Sequence, residues 1–302
     1  MAKGLHNKVV LFRTGPITIV NFGLFAALGA ALATWWAVAR QYQAGLEPQR
    51  YAMVMYMVLP ILVALGSRLL ILFTEFDEFL RHPIKVLRRA GFSFQGGLIL
   101  GFAGLVTITW VYQLNLLRFM DTFALSMPLG HALGRLGCYS YGCCHGRPTS
   151  SGRGVAYTNR DSKAIRVSDL GGQRLHPTQL YSAGGNLAIF LVLNWIAASG
   201  VRVGALSACY LLIDSGGRFL VERIRWPSGP TWFGLSLFQY VAGAMFVAGV
   251  ALIPVAVNQP FLALPDLAGA LQSAVVYWPS YLTVFTVFFL CFGVHGRRVG
   301  AL

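Results

Sequence analysis

Charge is what this sequence has least of. Asp, Glu, Lys and Arg make up 11% of its 302 residues, and only 10 residues are acidic. A soluble domain carries roughly 25% charged residues, so a water-soluble globule is a poor match. Internal repeats and long low-complexity segments are also missing. No short apolar stretch followed by a small-residue cleavage pattern opens the chain, and the first apolar run is too long for a signal peptide. The N-terminus is therefore expected to be the start of the mature protein. Five cysteines, Cys138, Cys143, Cys144, Cys209 and Cys291, form an odd set with two adjacent members. That set gives no regular disulfide framework and leaves room for one bridge.

Apolar runs are abundant instead: 56% of the residues are hydrophobic. A helix needs roughly 18 or more apolar residues to cross hydrocarbon. Residues 16–39, 51–73, 234–256 and 271–294 meet that length clearly. Residues 95–113, 119–138, 179–198 and 204–222 do so with polar interruptions, which makes eight spans. The expected fold is an all-α polytopic membrane protein of seven to eight transmembrane helices, one integral-membrane domain over 1–302. A small irregular head over 139–178 lies between the fourth and fifth spans, and an extra helix falls within 258–302. Gly97 to Gly101 and Gly130 to Gly134 are small-residue spacings suited to close helix packing in lipid.

The net charge of +14 would point a soluble protein toward nucleic acid. In a membrane protein such residues sit in cytoplasmic loops or face anionic headgroups, and no nucleic-acid partner is expected. Most Lys and Arg fall at the two ends and in the even-numbered loops, while the odd loops hold only Arg40, Arg50, Arg118 and Arg202. The bias has two readings: both ends and the head lie in the cytoplasm, or the even-loop arginines gather anionic lipid.

Charges within the spans carry the chemistry. Each costs about 2.5–3.5 kcal/mol to insert, so each stands as a functional hypothesis. Arg135 closes the fourth span. Asp214, Arg218, Glu222 and Arg225 fall in or just after the sixth, spaced to share one helical face. They either neutralise one another as a ladder or, with Arg135 opposite Arg218, clamp a phosphate bidentately. The segment 137–149, GCYSYGCCHGRPT, has glycines that let backbone amides approach an anion. Its C-x4-C-C-H spacing is not a regular zinc pattern, so no metal and no cofactor are expected. The cysteines there serve either as a thiol activated by basic neighbours or as small packing residues. His176 and Pro177 open the fifth span at headgroup level.

These motifs, in order, resemble the prolipoprotein diacylglyceryl transferase family over about residues 15–255. Phe94-Gln95-Gly96-Gly97 is similar to its Phe-His-Gly-Gly motif. Gly134-Arg135-Leu136-Gly137, with Gly142 and Gly146, resembles its signature. His176-Pro177-Thr178-Gln179-Leu180-Tyr181 is similar to its His-Pro-Ser-Gln-Leu-Tyr, Arg218-Phe219-Leu220-Val221-Glu222 with Arg225 to its Arg-Phe-x-x-Glu, and Gly234 to Gln239 to the start of its final helix. The resemblance implies a seven-span enzyme of the bacterial cytoplasmic (inner) membrane, with its head outside the cytoplasm. Such an enzyme moves diacylglycerol from phosphatidylglycerol to a prolipoprotein cysteine and releases glycerol phosphate. Arg135, Arg218, Gln95, His145 and Glu222 then take the catalytic positions. Gly96, Gly97, Cys138, Gly142, Gly146, His176, Gln179, Tyr181, Asp214, Arg225 and Gln239 surround the substrate.

The sequence departs from the family at the step that activates the acceptor. Gln95 replaces the family's histidine base, and an amide takes no proton at neutral pH. Cys138 and Tyr141 replace its asparagines, Cys143 its glutamate and Asp214 its tyrosine. His131, His145 and His176 remain as alternatives for a base, with His145 nearest the signature. The acceptor is the lipoprotein thiol or another nucleophile. The alternative to catalysis is a phospholipid-binding or lipid-translocating protein that keeps the pocket.

Overall fold

The computed structural model describes residues 4–44, 61–63, 65–66, 69, 76–83, 94–227, 231–262, 267–296 and 299, without the side chains of 94, 95 and 98. The expected span 51–73 and the basic loop after it lie largely outside the described residues. The main helices are α1 (Asn21–Gln43), α2 (Phe94–Val111), α3 (Leu116–Tyr141), α4 (Thr178–Ala198), α5 (Ala205–Ile224), α6 (Leu237–Val257), α7 (Leu267–Ala274) and α8 (Trp278–Gly293). Among the described residues nine strands of two to five residues lie between or flank them: β1 (Val10–Thr14), β2 (Ile17–Val20), β3 (Val155–Ala156), β4 (Arg174–Leu175), β5 (Val201–Arg202), β6 (Thr231–Trp232), β7 (Leu235–Ser236), β8 (Phe261–Leu262) and β9 (Val294–His295). The protein is thus mostly helical rather than wholly so.

Helices dominate because hydrocarbon offers a backbone no hydrogen-bond partner but itself. Among the described residues, α1, α4, α6 and the continuous stretch Leu267–Gly293 are long and apolar enough to cross a membrane. Their outward surfaces carry large apolar side chains, with Trp195 74% and Val247 66% exposed. Helices α3 and α5 are more polar because their inner faces build the site. The first helix begins at Asn21, five residues after the start of the apolar run. Residues 10–20 form the β1–β2 hairpin instead, turning at Gly15 with φ +55°. The expected span 271–294 falls almost wholly within the continuous stretch Leu267–Gly293, whose helix tightens into a 3-10 turn at Val275–Tyr277.

Helix α3 is central, packed on α1, α4 and α5. A Cβ on Gly29 of α1 would lie 2.7 Å from the Gly130 carbonyl, and one on Gly137 3.0 Å from the Phe22 carbonyl. The pair that admits α1 is therefore Gly130 with Gly137, not Gly130 with Gly134. Gly134 has nothing within 4 Å of its would-be Cβ. Asp121, fully buried on α3, accepts from the Gly204 amide (2.6 Å), the Ser207 amide (2.9 Å) and the Ser207 hydroxyl (2.6 Å). A carboxylate of α3 thus caps α5, meeting orphan amides where the helix dipole favours negative charge. At the same end Arg40 is buried, not a loop cation. It donates to Asn194 Oδ1 of α4 at 2.6 Å and lies over the Trp36 ring.

The opposite end holds the head, which runs from Gly142 to Pro177 between the helix ends. Tyr157, Ala164, Leu170 and Leu175 form its small core with Trp226 against it. Both ends of the described chain gather there. Strand β2 pairs with β9, Thr18 opposite His295 and Ile19 opposite Val294. Asn7 Oδ1 accepts from the Thr158 amide at 2.9 Å, and Arg13 meets Asp161 at 2.7 Å. At the far end β5 pairs with β8.

Candidate active site

The head-proximal half of α3 presents His131, Arg135 and Cys138 at spacings of four and three, one helical face. Across from it α5 presents Asp214, Arg218 and Glu222. The two faces meet at one imidazole. Arg135 donates from Nε to His131 Nε2 at 3.1 Å, and Arg218 Nη2 lies 3.1 Å from His131 Nδ1. Buried Asp214, 2% exposed, accepts from Arg218 Nε and fixes which edge of that guanidinium faces His131.

This junction holds more donors than acceptors. A neutral imidazole accepts at one nitrogen and donates at the other, and a protonated one accepts at neither. Two guanidinium N–H groups aimed at its two nitrogens cannot both be satisfied by it. An oxyanion among the three side chains would supply the missing acceptors. Arginine suits that task because its fork of donors matches phosphate and its charge persists out of water.

Toward the head, Cys138 and the loop residues Cys143 and Cys144 bring their sulfurs within 4.8 Å of one another, all half-buried and unbridged. The turn out of α3 needs Gly142, whose φ is +74° and whose Cβ would strike Ser162 Oγ. Cys144 follows in the left-handed region at φ +56°. Thiol hydrogen bonds from Cys138 and Cys143, then the Arg225 and Arg135 charges, hold the Cys144 thiol well below its ordinary range and outweigh burial. Fully buried Gln179 donates to the Cys143 carbonyl at 2.8 Å and the Tyr157 hydroxyl at 3.2 Å. Thr178 Oγ1 donates to the Cys144 carbonyl at 2.7 Å.

Gly146 is where three segments cross. Its amide donates to the His176 carbonyl at 2.9 Å. A Cβ there would lie 2.5 Å from His176 Cβ and 3.0 Å from the Ile224 carbonyl. His145 is buried, with Nε2 3.1 Å from Ser168 Oγ and Nδ1 3.1 Å from the Gly146 carbonyl. Burial holds its pKa below the usual imidazole value. Both its nitrogens are committed within the head, and His131 is the imidazole that meets the arginines. His176 stands beside the exposed Tyr181.

Glu222 belongs to a second group. It accepts from Arg225 Nη1 and Ser236 Oγ, both at 3.1 Å. Ser236 and Gln239 form a capping box that starts α6. Glu222, Arg225, Gln239 and Arg147 line a cavity of about 540 Å³ beneath the head. Gly96 and Gly97 are buried in the first turns of α2. The side chain of Gln95 lies outside the described residues. His131 lies between Arg135 and Arg218, which the sequence alone pairs directly as a clamp. Its signal was the spacing: His131 is one turn before Arg135 on the same face of an otherwise apolar stretch.

Against proteins of known family, residues 9–255 match the model described as prolipoprotein diacylglyceryl transferase. A Clostridium perfringens protein named phosphatidylglycerol–prolipoprotein diacylglyceryl transferase 2 is 28% identical over 250 residues, 81% of this chain and 94% of that protein. Phosphatidylglycerol–prolipoprotein diacylglyceryl transferases from Vibrio vulnificus (strain CMCP6) and Geobacillus kaustophilus are 32% and 28% identical, covering 81% and 80% of this chain and 89% and 90% of their own lengths.

Proposed function

Since the chain belongs to the prolipoprotein diacylglyceryl transferase family, we propose that it transfers a diacylglyceryl group from phosphatidylglycerol to the thiol of a prolipoprotein cysteine. The donor surplus around His131 carries this reading. The donor lipid's phosphate sits among His131, Arg135 and Arg218, where its oxygens accept the N–H groups that the side chains cannot satisfy among themselves. The acceptor sulfur attacks the glyceryl carbon, the carbon–oxygen bond to phosphorus breaks, and glycerol phosphate departs with the electron pair. Negative charge grows on the leaving oxygen as the bond breaks. Donors fixed in place before that moment stabilise the transition state more than the bound lipid. Asp214 aims Arg218 rather than touching the lipid. The cavity lined by Glu222, Arg225 and Gln239 receives the polar glycerol end. Gly142 and Gly146 keep the head close over it. No observation favours a non-catalytic lipid binder.

We place the protein in the bacterial cytoplasmic membrane with eight crossings. Two observations support that count: the eight apolar runs, and the β2–β9 pairing that puts the segments just before α1 and just after α8 side by side, as an even number of crossings requires.

The test is incubation of the purified protein with labelled phosphatidylglycerol and a lipobox peptide, both followed by mass spectrometry. A diacylglyceryl thioether on the peptide is expected. Lipid consumed with the peptide unmodified would refute the acceptor, and neither substrate consumed would refute catalysis.

A further inference from the structure

A thiol attacks carbon as a thiolate, and at Gln95 this chain offers an amide that cannot take the proton. Next to the arginine junction, on its head side, lies sulfur. Cys138 lies in the last turn of α3, three residues beyond Arg135 and so beside the phosphate junction. Cys143 and Cys144 fold back onto it across Gly142, bringing the three sulfurs within 4.8 Å of one another. Zinc–thiolate bonds are about 2.3 Å, which sets sulfurs sharing one ion about 3.8–4.0 Å apart. The trio is thus within about 1 Å of closing on a metal. All three thiols are half-buried and none is bridged.

The donor set selects the ion and its job. Three sulfurs with no oxygen or nitrogen favour a soft or borderline cation over calcium or magnesium. Among the described residues no fourth ligand completes the cluster. The adjacent His145 uses both ring nitrogens on Gly146 and Ser168. Three protein ligands and one open position is the arrangement of catalytic rather than structural zinc. Zinc bound by three thiolates carries one net negative charge, and Arg135 and Arg225 lie beside Cys144 to balance it.

We propose that Cys138, Cys143 and Cys144 bind a zinc ion whose open position takes the acceptor cysteine of the prolipoprotein, so that the metal makes the nucleophile. The proposal rests on the transferase reading above. A thiol that coordinates zinc is deprotonated, and its proton leaves to water. The zinc-held sulfur forms the carbon–sulfur bond as the glyceryl carbon–oxygen bond breaks. The electron pair leaves on the phosphate held by Arg135 and Arg218. The product thioether carries no charge, binds zinc weakly and departs, reopening the position. Nothing is oxidised or reduced, in keeping with zinc's redox inertness.

The experiment uses the full-length reduced protein in detergent, stripped by a chelator and titrated with Co2+ as a coloured stand-in for zinc. Uptake of one equivalent with thiolate-to-cobalt charge-transfer absorption, displaced by zinc, is expected. A Cys138→Ser/Cys143→Ser double variant loses that absorption and Cys209→Ser keeps it. A lipobox peptide shifts the cobalt d–d bands, and the same peptide with serine for cysteine does not. In the transfer assay the stripped wild-type protein loses at least tenfold in rate and one equivalent of zinc restores it. That arm needs no variant to fold. Absence of stoichiometric uptake overturns the proposal. So does undiminished transfer by protein shown to be metal-free, and in that case the transferase reading stands. Zinc-loaded protein that binds the peptide thiol yet consumes no phosphatidylglycerol overturns both the transferase reading and the metal's role in it.

Discussion

Arg218 and His131 stand 3.1 Å apart, guanidinium to imidazole, although 87 residues and two different helices separate them. Arg135 reaches the other nitrogen of the same ring from one turn along α3. The molecule thus keeps two cations and a ring on a spot with too few acceptors, a poor arrangement for stability alone and a good one for holding an anion.

Replacing either arginine by lysine keeps the charge and removes the fork. Arg135→Lys and Arg218→Lys are expected to lower initial rates of phosphatidylglycerol consumption by about 10²–10³-fold, the usual loss for one preorganised donor at a developing oxyanion. Rates within threefold of wild type in both variants would refute the clamp.

Asp121 tests architecture rather than chemistry. Asp121→Asn leaves shape intact but weakens the acceptor for two amides and a hydroxyl at the start of α5. The expected loss is about 1–3 kcal/mol, read as earlier thermal unfolding in detergent. Because α5 carries Arg218, activity falls along with stability and not beyond it.

Gly146→Ala puts a methyl into the crossing of the head, His176 and the end of α5. Overpacking costs about 1–3 kcal/mol where neighbours can shift. Here the obstacles include two backbone carbonyls, so the head is expected to lift. Faster proteolysis within 142–177 and reduced lipid turnover are the readouts. A crystal structure of the variant with an unmoved head would refute this account.

The Arg13–Asp161 pair, by contrast, should matter little. Arg13 is more than half exposed, and such pairs are worth about 0–1 kcal/mol. Asp161→Asn is expected to leave unfolding and transfer within experimental error of wild type at physiological salt.

Much of this was legible in the sequence for a physical reason. Hydrocarbon demands long apolar runs, and an ionisable residue inside one is expensive enough to announce itself. Arg135 and Arg218 are visible on that ground, and the ends of α4 and α5 fall within two residues of their apolar runs. What was not legible depends on convergence. The cysteine spacing of five and one matches no ligand pattern, because only the left-handed turn at Gly142 and the positive φ of Cys144 bring those sulfurs together. Asp121, inside the run 119–138, was open to the same argument; its role as a cap was not, because its partners lie more than eighty residues away. Strand β2 of the hairpin was hidden at the start of the apolar run 16–39, since a short buried apolar segment reads alike as strand or helix.

Gly23 of α1 meets the backbone of Gly293 of α8 so closely that Gly23 has no room for a side chain, while β2 and β9 zip the neighbouring segments. Yet the residues that match the family stop at 255, before α7 and α8 begin. The C-terminal addition is therefore not an appendage hung on a finished enzyme. It is a stave set against the first one, joined to it by a seam beside the head. Truncation at the family boundary would strip α1 of a neighbour and open that seam.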